Sequence, residues 1–186
     1  MEKKIFFIDF DGTLMRDDKT ISDKNREALR NAVDQGHYIA LATGRAVSSG
    51  RRIAKELELT RPGCYLVAYN GAGTIYDFSA DCILSNKRLP IEYAEYLLRE
   101  ATEAGIHIQT YSDTQVLVTE RNKELDFYVK KTGMPCRITG NLNSMLYEEP
   151  PKMLLIDLEH KERLEAFQQA HAEWEKGKCS SFFSCK

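Results

Sequence analysis

The stretch Lys4-Ile5-Phe6-Phe7-Ile8-Asp9-Phe10-Asp11-Gly12-Thr13-Leu14 constrains the fold more than any other part of the chain. A run of apolar residues ends abruptly in two carboxylates one residue apart, followed by a glycine and a hydroxyl. Such a run, closed by turn chemistry, predicts a strand buried on both faces. Asp9 then stands at the strand's carboxyl end, where open α/β sheets place their ligands. Asp11, Gly12 and Thr13 fall in the loop beyond it.

The same pattern returns twice. Ser22 is a suitable N-cap for a helix through Gln35, with Ala28, Leu29, Ala32 and Val33 on one face and Gly36 as terminator. Tyr38–Ala42 is a second apolar strand, ending in Thr43-Gly44-Arg45. A second helix runs to Leu57 and is broken at Pro62-Gly63. Tyr65–Tyr69 is a third strand, ending in Asn70-Gly71. Strands alternating with helices of this length predict a parallel sheet with right-handed crossovers. Its three polar turns then share one rim.

Beyond that rim the pattern changes. Gly73–Tyr76 and Cys82–Ser85 read as an antiparallel hairpin, and Asn86–Pro90 as a hinge. A helix from Ile91 to Gly105 and strands at Ile106–Thr110 and Gln115–Thr119 follow. Next come a helix capped by Asn122 and stopped by Gly133, and a loop over Met134–Pro151. A strand at Met153–Leu158 precedes a helix carrying Leu164, Phe167, His171 and Trp174, and Lys178–Ser184 reads as a last strand. This grouping predicts a second, α+β domain.

The rim carries the chemistry. A carboxylate is ionised at neutral pH, its reference pKa being about 3.9, so Asp9 needs no base to act as a nucleophile toward phosphorus. Asp11 can protonate a leaving oxygen and later activate water. Two carboxylates beside a phosphate call for a cation, and Mg²⁺ suits one or two carboxylates plus substrate oxygens. Gly12 lets backbone amides approach a phosphate, and the Thr13 and Thr43 hydroxyls can donate to it. An Asp-x-Asp at a strand end is, taken alone, more often a solvated turn, and Thr-Gly-Arg alone is weaker still. Their shared rim makes them specific.

Here the chain resembles the haloacid dehalogenase superfamily. Asp9-Phe10-Asp11-Gly12-Thr13-Leu14 is similar to its first motif and Leu41-Ala42-Thr43-Gly44-Arg45 to its second. Asn70-Gly71-Ala72, followed by a hairpin and a long insert, resembles the Cof-type branch of sugar-phosphate phosphatases. The resemblance implies an α/β fold: a Rossmann-like core over residues 1–88, incomplete, with an α+β cap over residues 89–186 inserted after the third strand. It implies Mg²⁺-dependent hydrolysis of small phosphomonoesters through an aspartyl-phosphate. Asp9 is then nucleophile and metal ligand, and Asp11 is acid/base and metal ligand through its carbonyl. Phe10, Gly12, Thr13, Thr43, Gly44 and Arg45 surround the phosphate, and the partner is a small phosphorylated metabolite.

The family's third motif, a lysine, and its fourth, Gly-Asp, follow the cap. No Gly-Asp pair occurs in this sequence. The expectation is a chain truncated after its cap and impaired in turnover, with Ile5–Ile8 an exposed apolar edge open to self-association. Lys152, the tempting stand-in for the third-motif lysine, reads as a surface lysine at a strand start. The alternative is a non-catalytic phosphate-binding or interaction protein.

Composition adds exclusions. A formal net charge of −2 gives no reason to expect nucleic acid or an anionic membrane as partner. No stretch approaches the roughly 20 apolar residues that span a bilayer. Five cysteines without a CxxC pair, behind a charged N-terminus with no apolar targeting segment, predict reduced thiols in a cytoplasm. His37, His107, His160 and His171 lack metal-binding spacing, and Phe167, Trp174, Tyr93, Tyr96, Tyr111 and Tyr128 read as packing residues.

Overall fold

A computed structural model describes residues 2–16, 18–71 and 74–183, without the side chains of residues 142 and 143. Ala72 of the Asn-Gly-Ala turn, Gly73 at the expected start of the hairpin, Ser184 and Cys185 lie outside the described residues. The chain divides into two compact units, residues 1–87 and 88–186.

Unit 1 is built on β1 (Ile5–Asp9), β2 (Tyr38–Ala42) and β3 (Cys64–Val67), joined by α1 (Asp23–Asp34) and α2 (Val47–Glu56). Ser22 caps α1 by accepting from the Asn25 amide at 3.2 Å, and Leu29 and Val33 are its buried positions. β1 pairs parallel with β2, Asp9 opposite Ala42, and β2 pairs parallel with β3, Ala42 opposite Val67. All three carboxyl ends therefore open on one rim. β3 is shorter than predicted because Tyr69 and Asn70 turn left-handed, at φ 54° and 60°, into a 3-10 turn at Tyr69–Gly71. The hairpin of β4 (Ile75–Asp77) and β5 (Cys82–Ser85) adds antiparallel to β3, giving the sheet order β1-β2-β3-β4-β5.

That order corrects one expectation and bears out another. β1 is not buried on both faces: among the described residues it has a neighbouring strand on one side only, and Ile5 and Phe7 are 50% and 66% exposed. It is the exposed apolar edge the sequence argument arrived at.

Unit 2 comprises α3 (Ile91–Glu103), β6 (His107–Tyr111), β7 (Val116–Val118), α4 (Lys123–Thr132), β8 (Cys136–Ile138), α5 (Leu142–Met145), β9 (Leu154–Ile156) and α6 (Lys161–Glu175). Its sheet runs β8-β7-β6-β9, with β7 and β8 parallel and the other pairs antiparallel. Ala94, Leu98 and Ala101 of α3 pack with Ile108, Leu117, Met145 and Leu146 as its core. The 134–151 segment is not the plain loop expected, since it contains β8 and α5. Residues 178–183 form no strand; the Ser181 amide instead donates to Glu175, and Gln168 donates to the Ser181 carbonyl. His171 and Trp174 pack as predicted, stacked on Phe167 and Tyr96 at centroid distances of 4.0 and 4.2 Å. No helix among the described residues is long and apolar enough to cross a membrane.

Gly50 shows how closely α2 lies on the sheet: a Cβ there would come within 2.5 Å of the fully buried Leu66 side chain. Gly50→Ala gains about 1 kcal/mol of helix propensity but overpacks this contact at about 1–3 kcal/mol. Urea denaturation is expected to show net destabilisation; a stabilised variant would mean that the helix-sheet contact is loose.

Candidate active site

The first loop is shaped by its own backbone. The Asp9 carbonyl accepts from the Leu14 amide at 3.1 Å and the Phe10 carbonyl from the Met15 amide at 2.8 Å, closing a tight turn. Gly12 sits in it at φ +80°, a conformation that strains other residues. Its amide donates to the Met15 carbonyl at 3.1 Å and so serves the turn. Phe10 is fully buried, and its side chain is core; any role toward a phosphate falls to its backbone. Thr13 is exposed and borders the cleft between β1 and α1 with Phe6, Ile8 and Leu14.

The second and third turns are tied together. The Thr43 amide donates to the Val67 carbonyl, the Asn70 amide to the Thr43 carbonyl and the Tyr69 amide to the Arg45 carbonyl, at 2.9–3.0 Å. Gly44 lets the Asn70 side chain approach closely: a Cβ there would fall 2.5 Å from the Asn70 Oδ1 and would displace it. Thr43 is buried, and its hydroxyl accepts from the Arg45 amide at 3.1 Å.

Across the rim Arg45 meets Asp11. Its Nε donates to Oδ2 at 3.0 Å and its Nη2 to Oδ1 at 2.6 Å, a bidentate pair. Lys19 Nζ donates to the same Oδ1 at 3.1 Å. A turn presents that lysine: Asp18 accepts from the Thr20 amide and hydroxyl, and Lys19 itself adopts φ 65°. The Arg45 hydrogen bond holds the Asp11 carboxyl below the ordinary carboxylate range; Lys19 helps and partial burial opposes. Asp9 differs. Its side chain is exposed and has no hydrogen-bond or ion-pair partner among the described residues.

The structure thus gathers Asp9, Asp11, Thr43, Gly44 and Arg45 on one rim, with Gly12 in the loop between. It commits the Arg45 guanidinium, expected at the phosphate, to Asp11. Sequence reasoning missed Lys19, which lies in the charged run Arg16–Thr20, where nothing in the spacing distinguishes it. Among the described residues no group of three or more His, Cys, Asp or Glu could hold a metal. The hard oxygen donors left for Mg²⁺ are the Asp9 carboxylate and the Asp11 carbonyl. Two such donors fit an ion that keeps waters and substrate oxygens in its shell. The cysteines do not compete: the four described are free, and burial pushes the Cys64 thiol up to about 11.

Residues 6–184 match the family model of the haloacid dehalogenase-like hydrolases. The chain belongs to that family. Among curated members it is 42% identical, over 69 residues, to the 5-amino-6-(5-phospho-D-ribitylamino)uracil phosphatase YcsE of Bacillus subtilis, covering 37% of this chain and 26% of that protein. It is 25% identical over 174 residues to the pyridoxal phosphate phosphatase YbhA of Escherichia coli, covering 94% of this chain and 57% of that one. A crystal structure of a haloacid dehalogenase-like hydrolase from Bacteroides thetaiotaomicron superposes with a TM-score of 0.86 at 25% identity, covering 100% of this chain and 68% of its own. The chain therefore spans only part of each of these haloacid dehalogenase-like relatives.

Removing the Asp11 carboxylate strands a guanidinium that is 8% exposed. Asp11→Ala is expected to cost about 1–2 kcal/mol at pH 7, the value of a charge-assisted pair reduced because the carboxylate is half in solvent. Folding lowers the Asp11 pKa, so its stabilisation is present above the unfolded value of about 3.9 and is lost as pH falls through the folded value. The difference between the two proteins should accordingly shrink below about pH 4. Equal stability at pH 7, by urea denaturation, would mean that the pair contributes nothing.

Proposed function

We propose that the rim of unit 1 is the nucleophile-bearing part of a phosphomonoester hydrolase that works through an aspartyl-phosphate. The observation that carries this is the contrast between the two carboxylates: Asp9 exposed and unpartnered among the described residues, Asp11 oriented by Arg45 and Lys19. One carboxylate is open to attack an electrophile while the other is held in place beside it.

In this reading an Asp9 oxygen forms the bond to phosphorus as the bond to the leaving oxygen breaks. Asp11, in the protonated form that its pairing with Arg45 and Lys19 opposes, gives its proton to that oxygen and regains one from the water that hydrolyses the intermediate. Arg45 and Lys19 act as positioning residues on Asp11. Thr43 and the Gly12, Thr13 and Gly44 segments face the transferred group, with Phe10 contributing its backbone. Mg²⁺, held by the Asp9 carboxylate and the Asp11 carbonyl, would supply charge neutralisation between carboxylate and phosphate. The substrates are small phosphorylated metabolites of the sugar-phosphate kind. The relatives' names, which include a ribityl phosphate and a pyridoxal phosphate phosphatase, support that class. No Gly-Asp pair occurs in these 186 residues, and turnover by them alone is proposed to be slow.

A transition-state mimic tests the site without requiring turnover. Orthovanadate with Mg²⁺ is expected to bind the chain, measured by calorimetry, and Asp9→Asn to weaken binding at least tenfold. Binding unchanged in Asp9→Asn would overturn the assignment of Asp9.

We also propose that β1 mediates self-association, on the exposure of Ile5, Phe6 and Phe7 along an unpaired edge. Sedimentation is expected to show a concentration-dependent dimer that Phe7→Lys abolishes; a monomer throughout would contradict it.

A further inference from the structure

Unit 1 holds a cavity away from the rim. α2 lies against the sheet at Leu66, and Tyr76 of β4 is the register partner of Leu66, so its ring faces α2. Phe78 stands on the same side, its ring edge-to-face with that of Tyr76 at 5.7 Å. Its amide donates to the Cys64 carbonyl at the amino end of β3, opposite the end that opens on the rim. Between these two rings and α2 is an open cavity of about 340 Å³, within the range of small-ligand sites.

Its other walls are cationic. Arg51, Arg52 and Lys55 line it from α2, against the single carboxylate of Asp81. That carboxylate is already engaged, accepting from the Tyr76 hydroxyl and from Arg51 Nη2 at 2.6 Å. Arg51 also lies over the Tyr76 ring, 5.3 Å from its centroid. Arg52 and Lys55, by contrast, have no hydrogen bond or ion pair among the described residues. The acid placed to neutralise Arg52 is Glu56, one helical turn on. Arg26 of α1 takes it instead, Nη2 donating to its carboxylate at 2.7 Å and Nη1 to its carbonyl at 3.0 Å. Glu58, the next acid along, is held by Arg30 at 3.0 Å. Two cations are thus left beside an aromatic wall, with the nearby acids committed elsewhere.

We propose that this cavity binds a small organic dianion with an apolar, ring-sized body, its charges met by Arg52 and Lys55. A guanidinium presents a fork of donors that matches a carboxylate or a phosphoryl group, and an ammonium adds a compact point charge. Thr60 also lines the cavity and offers a hydroxyl to the same anion. Tyr76 and Phe78 meet the body, which a bare inorganic ion lacks. A nucleic acid suits the site poorly, since the chain's net charge is −2. Two carboxylates or one phosphoryl group can supply the ligand's charge.

The cavity shares no residue with the rim, so it stands whether or not the phosphatase reading does. The folded chain is titrated by calorimetry with isophthalate and, separately, with phenylphosphonate, in Mg²⁺-free buffer of low ionic strength. At least one is expected to bind with a dissociation constant of about 1 mM or tighter, and the tighter identifies the preferred anionic group. Arg52→Ala and Lys55→Ala are each expected to weaken binding about tenfold, the value of a charge-assisted hydrogen bond. Both side chains are exposed, so neither substitution threatens the fold. Asp9→Asn is expected to leave binding unchanged. Glutarate, a dianion without a ring, is expected to bind roughly fivefold more weakly. The proposal is overturned if neither probe binds, if both alanine variants bind as the parent does, if glutarate binds as tightly, or if Asp9→Asn abolishes binding.

Discussion

Parallel pairing of β1 with β2, and of β2 with β3, is the constraint on which the candidate site depends. It places Asp9, Ala42 and Val67 in register, so that the loops following all three strands leave the sheet on one rim. Asp11 and Arg45 are 34 positions apart in sequence, yet their side chains form a bidentate pair only because the two strands share direction and register. The glycines serve the same end. Gly44 admits Asn70 against the second turn, and Gly50 lets α2 settle on Leu66.

The electrostatics divide the two carboxylates by neighbours. Asp11 faces a guanidinium and an ammonium, which fix its orientation and favour its charged form. Asp9, at the end of an exposed edge strand, has no such partner among the described residues. Carboxylates two positions apart in one motif thus have different surroundings, set by what stands opposite each of them. The edge is the other side of this arrangement, since the strand that presents Asp9 carries Phe6 and Phe7 into solvent within this chain.

Much of the fold could be read from the sequence because its signals are local. Apolar runs ended by turn residues located β1, β2 and β3, and Ser22, Asn122 and Gly133 marked helix ends that the backbone confirms. What could not be read depends on residues meeting across the fold. β8 is three exposed residues long and becomes a strand only by pairing Cys136–Ile138 with Val116–Val118. The expected last strand gave way to side chains of α6 that capture Ser181. At the site, motif spacing identified Asp9, Asp11 and the Thr-Gly-Arg turn as candidates. It carried no sign that Arg45 would turn to Asp11, that Lys19 would join it, or that Lys152 would lie half-buried against Tyr111 and not at the surface. Those are meetings of side chains, set by register and loop closure.

The central claim is that Asp9 becomes covalently phosphorylated. Its most direct test is to incubate the chain with Mg²⁺ and acetyl phosphate, quench in acid and map the phosphoryl group by peptide mass spectrometry. The account predicts a phosphoryl group on Asp9, missing in Asp9→Asn and retained in Asp11→Asn. A phosphoryl group on Asp11 or elsewhere, or none on any residue, would contradict it.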